Sequence, residues 1–285
     1  MKIDIALKQF DIFNRIKFYG KNHTYKIDGE ITSSSVTRFL NLFTPFFDRD
    51  KIALNVAKRN NVDLQTVLNE WEYEKEVACL KGTIFHNYID NYLHNKIIPI
   101  NKTEILEFYK GDETVADAFM IKVAKLILQF EKFYKYYDEK FIHFKSEFVV
   151  GDISDTRICG TIDNLSLCRH TNDLYIVDYK TNKKFTEKNT FGKYLTGPVS
   201  YLEDTKMNVY GLQLHMYKYI VEKYTDFKVK CIIVWFNENN DTYKLFTPPD
   251  LSEEIVKMID FYKNKNNTIV TCTSAIENYI ESIAD

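Results

Sequence analysis

The sequence predicts an α/β fold in the order helix, three strands, helix, two strands, wrapped by N- and C-terminal helices. Three observations predict it. Helical spacing dominates as far as Tyr137, with Val115, Phe119, Val123, Leu126, Phe130 and Phe133 recurring on one face. Three short runs rich in β-branched and aromatic residues then follow one another, FIHFKSEFVV (141–150), TRICGTIDNLSLCR (156–169) and DLYIVDYKT (173–181), separated only by polar turns. Helical spacing returns in NVYGLQLHMYKYIVEKY (208–224), and two more strand-like runs, KCIIVWF (230–236) and TYKLFTP (242–248), close the pattern.

In chain order, residues 23–30 (HTYKIDGE) alternate and contain Asp28-Gly29, a strong hairpin signal because both turn positions tolerate positive φ. Ser33 to Ser35 then offer N-caps for a helix through VTRFLNLF. From Asp48 to about His94 the pattern is helical. Val62-Asp63 starts LQTVLNEWEYEKEVACL, and Lys81-Gly82 is read as a break before TIFHNYIDNYL. A further helix is expected from about Glu113 to Tyr137. Residues 182–204 have little periodicity and contain Gly192, Gly197 and Pro198; a loop of that length suits a lid or a substrate-contacting flap. Helices over 250–263 and 273–283 end the chain. No internal repeat or low-complexity tract interrupts this order.

Composition bounds the function classes. The chain has 285 residues, Lys+Arg 38 against Asp+Glu 40 and a net charge of -2, so any nucleic-acid surface must be a local groove and not a global positive field. With 20 Tyr and 21 Phe it can build a large core, and some of those rings could instead stack on bases. The cysteines (Cys79, Cys159, Cys168, Cys231, Cys272) are odd in number and never in C-x-x-C spacing, which argues against a zinc site, an iron–sulfur cluster or a disulfide framework and suits reduced cytosolic thiols. The first twenty residues lack the continuous apolar core of a signal peptide, and no stretch approaches the ~20 apolar residues that span a bilayer, so a soluble, intracellular protein is expected.

The chemistry concentrates on the central strands. In LYIVDYK, Asp178 and Lys180 fall on one face while Val177 and Tyr179 fall on the other. The short turn at 169–173 lets the strand containing Gly160-Thr161-Ile162-Asp163 pair antiparallel with 174–180, which brings Asp163 towards Asp178. Two adjacent carboxylates repel unless a cation neutralises them, so a hard divalent ion on oxygen ligands fits; a cross-strand salt bridge would leave the same letters. Around this pair stand Gly82-Thr83-x-x-His86, Glu147 on the first strand, and Gln213-x-x-x-Tyr217, four apart and so on one helix face.

In order, SSSVTRFL, GTIFHNYIDNYL, SEFVV with GTIDNL, IVDYKTNKK and NVYGLQLHMYKYI make a set that resembles the PD-(D/E)XK nuclease superfamily. Within it they are similar to the RecB-like exonuclease branch, of the phage and mitochondrial genome maintenance exonuclease type. The resemblance covers about residues 25–224. It implies a restriction-endonuclease-like core at 81–248 within a single nuclease domain (1–285), an N-terminal hairpin and helical elaboration at 1–80, and C-terminal helices at 249–285. It implies that Asp163 and Asp178 bind Mg2+ or Mn2+, that the Tyr179 carbonyl adds a ligand, and that His86 completes the metal site. Lys180 would orient or activate the attacking water, Glu147 would support the site from the next strand, and Gln213 and Tyr217 would position the catalytic groups and contact the nucleic-acid backbone. The four cysteines of the iron–sulfur branch are lacking, so no cluster is implied, and no Gly-Lys-Thr phosphate loop is present, so any helicase or recombination partner would be a separate chain.

The expected activity is a divalent-metal-dependent exonuclease acting on single-stranded DNA or DNA ends, in replication, repair, recombination or phage DNA processing. The alternatives are a metal-dependent endonuclease and a non-catalytic DNA-binding or assembly protein on the same fold. Lys183 and Lys184 could hold phosphates or simply be solvated, and Tyr194 and Tyr201 could stack on bases or pin the long loop to the core. His86 alone would read as a hydrogen-bonded core residue, with Asp90 one turn on either orienting it or lying at the surface. His23, His94, His143, His170 and His215 are expected to be structural or solvent-facing, and Trp71 and Trp235 to pack. Abundant Lys, Asn, Ile and Tyr suits an AT-rich coding genome such as that of a phage or low-GC bacterium.

Overall fold

The computed structural model describes residues 8–265 apart from 97, 190 and 191. The expected helix over 273–283 lies outside these residues. A small antiparallel sheet opens the described chain: β1 (Ile16–Tyr19), β2 (Thr24–Ile27) and β3 (Glu30–Ile31). The β2–β3 turn falls at Asp28-Gly29, both at positive φ (52° and 88°), as the hairpin signal requires. Strand β1 is an addition to the expected pattern. It is exposed at three of its four positions, so its burial hardly patterns the sequence.

Strand β4 (Ser34–Ser35) leads into helix α1 (Val36–Asn41), where the Ser35 side chain accepts from the Arg38 N–H as an N-cap. Helices α2 (Arg49–Asn60) and α3 (Leu64–Leu93) follow, capped by Asp48 and Asp63. The break expected at Lys81-Gly82 is absent, and α3 runs through it for 30 residues. A glycine in a helix interior weakens it by only about 1 kcal/mol relative to alanine. The buried Lys81 ion pair with Glu238, at 2.8 Å, draws this part of the helix onto the sheet. A Cβ on Gly82 would meet only Thr181 Oγ1, at an ordinary 3.9 Å, so the glycine is not required by packing and simply sits inside the continuous helix.

After α4 (Lys102–Phe108), helix α5 (Glu113–Lys140) presents Phe119, Val123, Leu126, Phe130 and Phe133 to the interior, while Val115 at its first turn is exposed. The sheet then forms from β5 (Phe141–Gly151), β6 (Ile158–Cys168) and β7 (Leu174–Lys180). Helix α6 (Lys206–Tyr224) crosses over to β8 (Val229–Trp235), parallel to β7, and β9 (Lys244–Phe246) pairs antiparallel at the edge. A final helix α7 covers 252–265. The helix, three-strand, helix, two-strand order stands as expected.

The sheet is covered on both faces. Val177, Tyr179, Val234 and Phe236 pack with Phe85, Ile89, Phe130 and Phe133 of α3 and α5. Leu174, Ile176 and Ile233 pack with α1, α6 and α7 on the other face. Alternation therefore turns Asp178 and Lys180 towards α6. No helix among the described residues is long and apolar enough to cross a membrane.

Candidate active site

The site opens where two strands part. The β6–β7 ladder pairs Asn164–Leu167 with Leu174–Val177 and stops one step short of Asp163 and Asp178. Beyond that point the Asp163 carboxylate replaces a backbone partner, its Oδ2 accepting the Tyr179 N–H at 2.8 Å. On the other side of β6, the register of Ser146 with Asn164 and of Phe148 with Ile162 puts Glu147 opposite Asp163. Glu147 has φ of 44°, a left-handed conformation that a non-glycine residue in mid-strand adopts only when its surroundings impose it, and such strain gathers at functional sites.

Helix α3 lays His86 across this opening. Its Nε2 lies 3.1 Å from the Tyr179 carbonyl oxygen, and its Nδ1 lies 3.5 Å from Glu147 and 3.8 Å from Asp163. One ligand atom from each of His86, Glu147 and Asp163 lies within 4.8 Å of the others, close enough to bind one ion. Burial pulls the imidazole down, yet Asp163 and Glu147 more than offset it and raise His86 to about 9. The pocket demands positive charge.

Asp178 is buried and only one of its two carboxylate oxygens has a partner. Oδ1 accepts from Lys180 Nζ at 2.7 Å, and Oδ2 has no partner. Burial pushes its carboxyl above the usual range; Lys180 pulls it back and Asp163 pushes it further up. Lys180 is raised, because its two neighbouring carboxylates outweigh the burial that lowers it. An unpartnered buried oxygen and a cluster of three ligand atoms are what a hard cation satisfies, so the residues present fit a divalent ion.

Helix α6 closes the far side. Gln213 Nε2 donates to the Tyr217 hydroxyl at 3.3 Å, and Tyr217 is buried against Gly160, where a Cβ would approach its ring to 2.6 Å. Tyr210, which the sequence reading did not single out, stacks 4.8 Å from Lys180 Nζ and bonds Asn182 through its hydroxyl at 3.3 Å. It lies one turn before Gln213 on the same face, and that spacing was its one available signal.

The structure thus brings together His86, Glu147, Asp163, Asp178, Tyr179 and Lys180, with Gln213 and Tyr217 behind them. Lys183 instead pairs with Glu74 at 2.8 Å. Tyr201 bonds Glu254 at 2.8 Å and Lys257 at 3.1 Å, tying the long loop to α7. Asp90 does not orient His86: its carboxylate takes a bond from Ser146 at 2.6 Å. Of the other histidines, His94, His143 and His215 hydrogen-bond the Asp90 carbonyl, Asn164 and the Gly211 carbonyl, as structural residues do. Both tryptophans pack, Trp71 with α2 and Trp235 with Phe185. The four described cysteines are free thiols.

A family model described as the PD-(D/E)XK nuclease superfamily matches residues 64–265. No curated protein matches the sequence. Among solved structures, a candidate exonuclease from Eubacterium rectale aligns over 70% of this chain and 70% of its own, at 15% identity and a TM-score of 0.41. The protein SSO0001 aligns over 64% of this chain and 84% of its own, at 12% identity and a TM-score of 0.28.

Proposed function

The chain belongs to the PD-(D/E)XK nuclease superfamily, a family of metal-dependent nucleases, and on that premise we propose that it is a RecB-like DNA exonuclease acting on single strands or DNA ends. The catalytic core is taken as 81–248, flanked by elaborations at 1–80 and 249–285, with the upstream half of α3 running into it unbroken. The observation that carries the reading is the His86, Glu147 and Asp163 cluster beside a buried Asp178–Lys180 pair.

In this reading His86, Glu147, Asp163, Asp178 and the Tyr179 carbonyl hold Mg2+ or Mn2+. When bound, such an ion neutralises phosphate charge and lowers the pKa of the attacking water. The chain's own residues do the rest. Lys180, clamped between Asp178 and the Tyr210 ring, offers a fixed cation to a phosphate oxygen or to the attacking water, preorganised and largely shielded from solvent. Gln213 and Tyr217 keep the α6 face registered on β6, so that Asp163 stays in line with Asp178.

The test uses end-labelled linear single-stranded DNA, its circular counterpart and duplex DNA, each with Mg2+ or Mn2+. Loss of label from linear substrates with intact circles is expected. Cutting of circles would make the enzyme an endonuclease, and no cutting with no metal binding would make it a DNA-binding or assembly protein. The same assay with RNA decides the sugar preference.

A further inference from the structure

Residues Thr181–Lys183, which continue β7 beyond the Lys180 ammonium, form one wall of a hollow of about 270 Å3 between α3 and α5. We propose that this hollow is a nucleotide subsite, taking one base and its phosphate from a single-stranded nucleic acid beside the bond being cut. It rests on the nuclease reading above and adds where the strand goes next.

Continuity with the site is the first support. His86, Gly82, Ala78 and Glu74 repeat at four-residue steps along α3, so one helix face runs from the metal-ligand cluster to the hollow. From His86 to Ala78 is about 12 Å along the axis. A nucleotide that closely follows the scissile phosphate spans such a distance.

The lining gives the chemistry. Tyr73 is half exposed and Tyr109 partly so, the latter backed edge to face at 5.7 Å by the buried Phe119. Rings of this kind accept any base by stacking. Lys81, Lys122 and Lys183 line the same hollow with Glu74 and Glu238. Lys81 is tied to Glu238 in a buried pair and serves as structure, whereas the Lys183–Glu74 pair is 70% and 61% exposed. Exposed pairs contribute little stability, so Lys183 can exchange Glu74 for a phosphate at small cost. A larger hollow, of about 790 Å3, is also lined by Tyr73 but includes no residue of the segment after β7, so it lacks the connection to the site.

Ala78 and Ala118 both line the hollow and are exposed, so Ala78→Trp and Ala118→Trp fill it without touching the core or the catalytic residues. Circular dichroism checks that each variant folds. Three measurements follow: fluorescence anisotropy of a labelled single-stranded oligodeoxynucleotide without metal, the same with an abasic residue moved one position at a time, and hydrolysis of bis(p-nitrophenyl) phosphate, which has no base. The expected result is that either variant weakens oligonucleotide binding by about fivefold or more. An abasic residue at one position should cost the wild type as much and the variants nothing, with hydrolysis of the small diester unchanged. Unchanged oligonucleotide binding in both variants, or an abasic penalty that persists in them, overturns the subsite. A wild type that hydrolyses neither the small diester nor the end-labelled DNA would instead overturn the nuclease reading, and the binding arms would still decide the subsite.

Discussion

Asp152 and Asp178 are both buried carboxylates with a lysine at 2.7 Å, and their environments differ in one respect. Every lone pair of Asp152 has company: Thr156 donates through N–H at 3.1 Å and hydroxyl at 3.0 Å, Lys223 at 2.7 Å and the Tyr224 hydroxyl at 2.8 Å. Burial pushes its carboxyl up, and these bonds overcome it, leaving Asp152 below the usual range. Asp178 has one partner and a bare Oδ2, and it ends above the usual range. A saturated carboxylate anchors a loop. An unsaturated one is a destabilising feature unless something else binds it, and its presence in this pocket points to function.

The sharpest way to break this contrast is to neutralise each carboxylate. Asp178→Asn should lose on the order of 10³ in kcat/KM, while thermal unfolding of the metal-free protein stays within about 1 kcal/mol or improves, because an under-solvated charge is removed while Asp163 remains to balance Lys180. Asp152→Ala should do the reverse, with near-normal kcat/KM in the folded protein and about 3 kcal/mol of lost stability from orphaned Lys223, Thr156 and Tyr224. If Asp178→Asn proved strongly destabilising, the two carboxylates would be of one kind.

A smaller effect is expected at Glu147, whose side chain is 43% exposed and which joins the cluster through its kinked backbone. Glu147→Gln should weaken Mn2+ binding by roughly 10- to 100-fold, read by calorimetry. Glu147→Gly would relieve the strain at φ 44° and give up the ligand, so higher stability with poorer metal affinity would show that the strain serves the site.

How far these two regions were legible in the sequence follows from the range over which their signals act. Alternation along LYIVDYK placed Asp178 and Lys180 on one face, and helical spacing joined Gln213 to Tyr217, because both rules act within one element. Asp152 was invisible: its partners lie up to 72 residues away, on a helix whose Lys223 and Tyr224 resemble any solvated turn. Lys81-Gly82 misled for the same reason, since the buried ion pair of Lys81 with Glu238, 157 residues away, holds intact a helix that local propensity would end. Lys183 and Tyr201 lie in irregular chain, where no periodicity says which way a side chain turns, and their partners proved to be Glu74 and Glu254.

The least effect, and the finest test of saturation, is pH. Asp152 is depressed in the folded state, so it binds a proton less readily there than in the unfolded chain, whose carboxyl titrates near the ordinary value of about 3.9. Its contribution is therefore fully present above that value and is lost as pH falls through the lower folded value. Asp178 is raised, so the folded protein takes up a proton there before the unfolded chain does, and stability shifts towards the protonated form as pH falls through the raised value. Denaturant unfolding of metal-free protein from pH 7 downwards should thus show a gain from Asp178 at mildly acid pH before the loss from Asp152 at more acid pH. Asp178→Asn should remove the first change and Asp152→Asn the second. Were the two variants to alter the same part of the profile, the difference in lone-pair satisfaction would not be what separates the anchoring carboxylate from the reactive one.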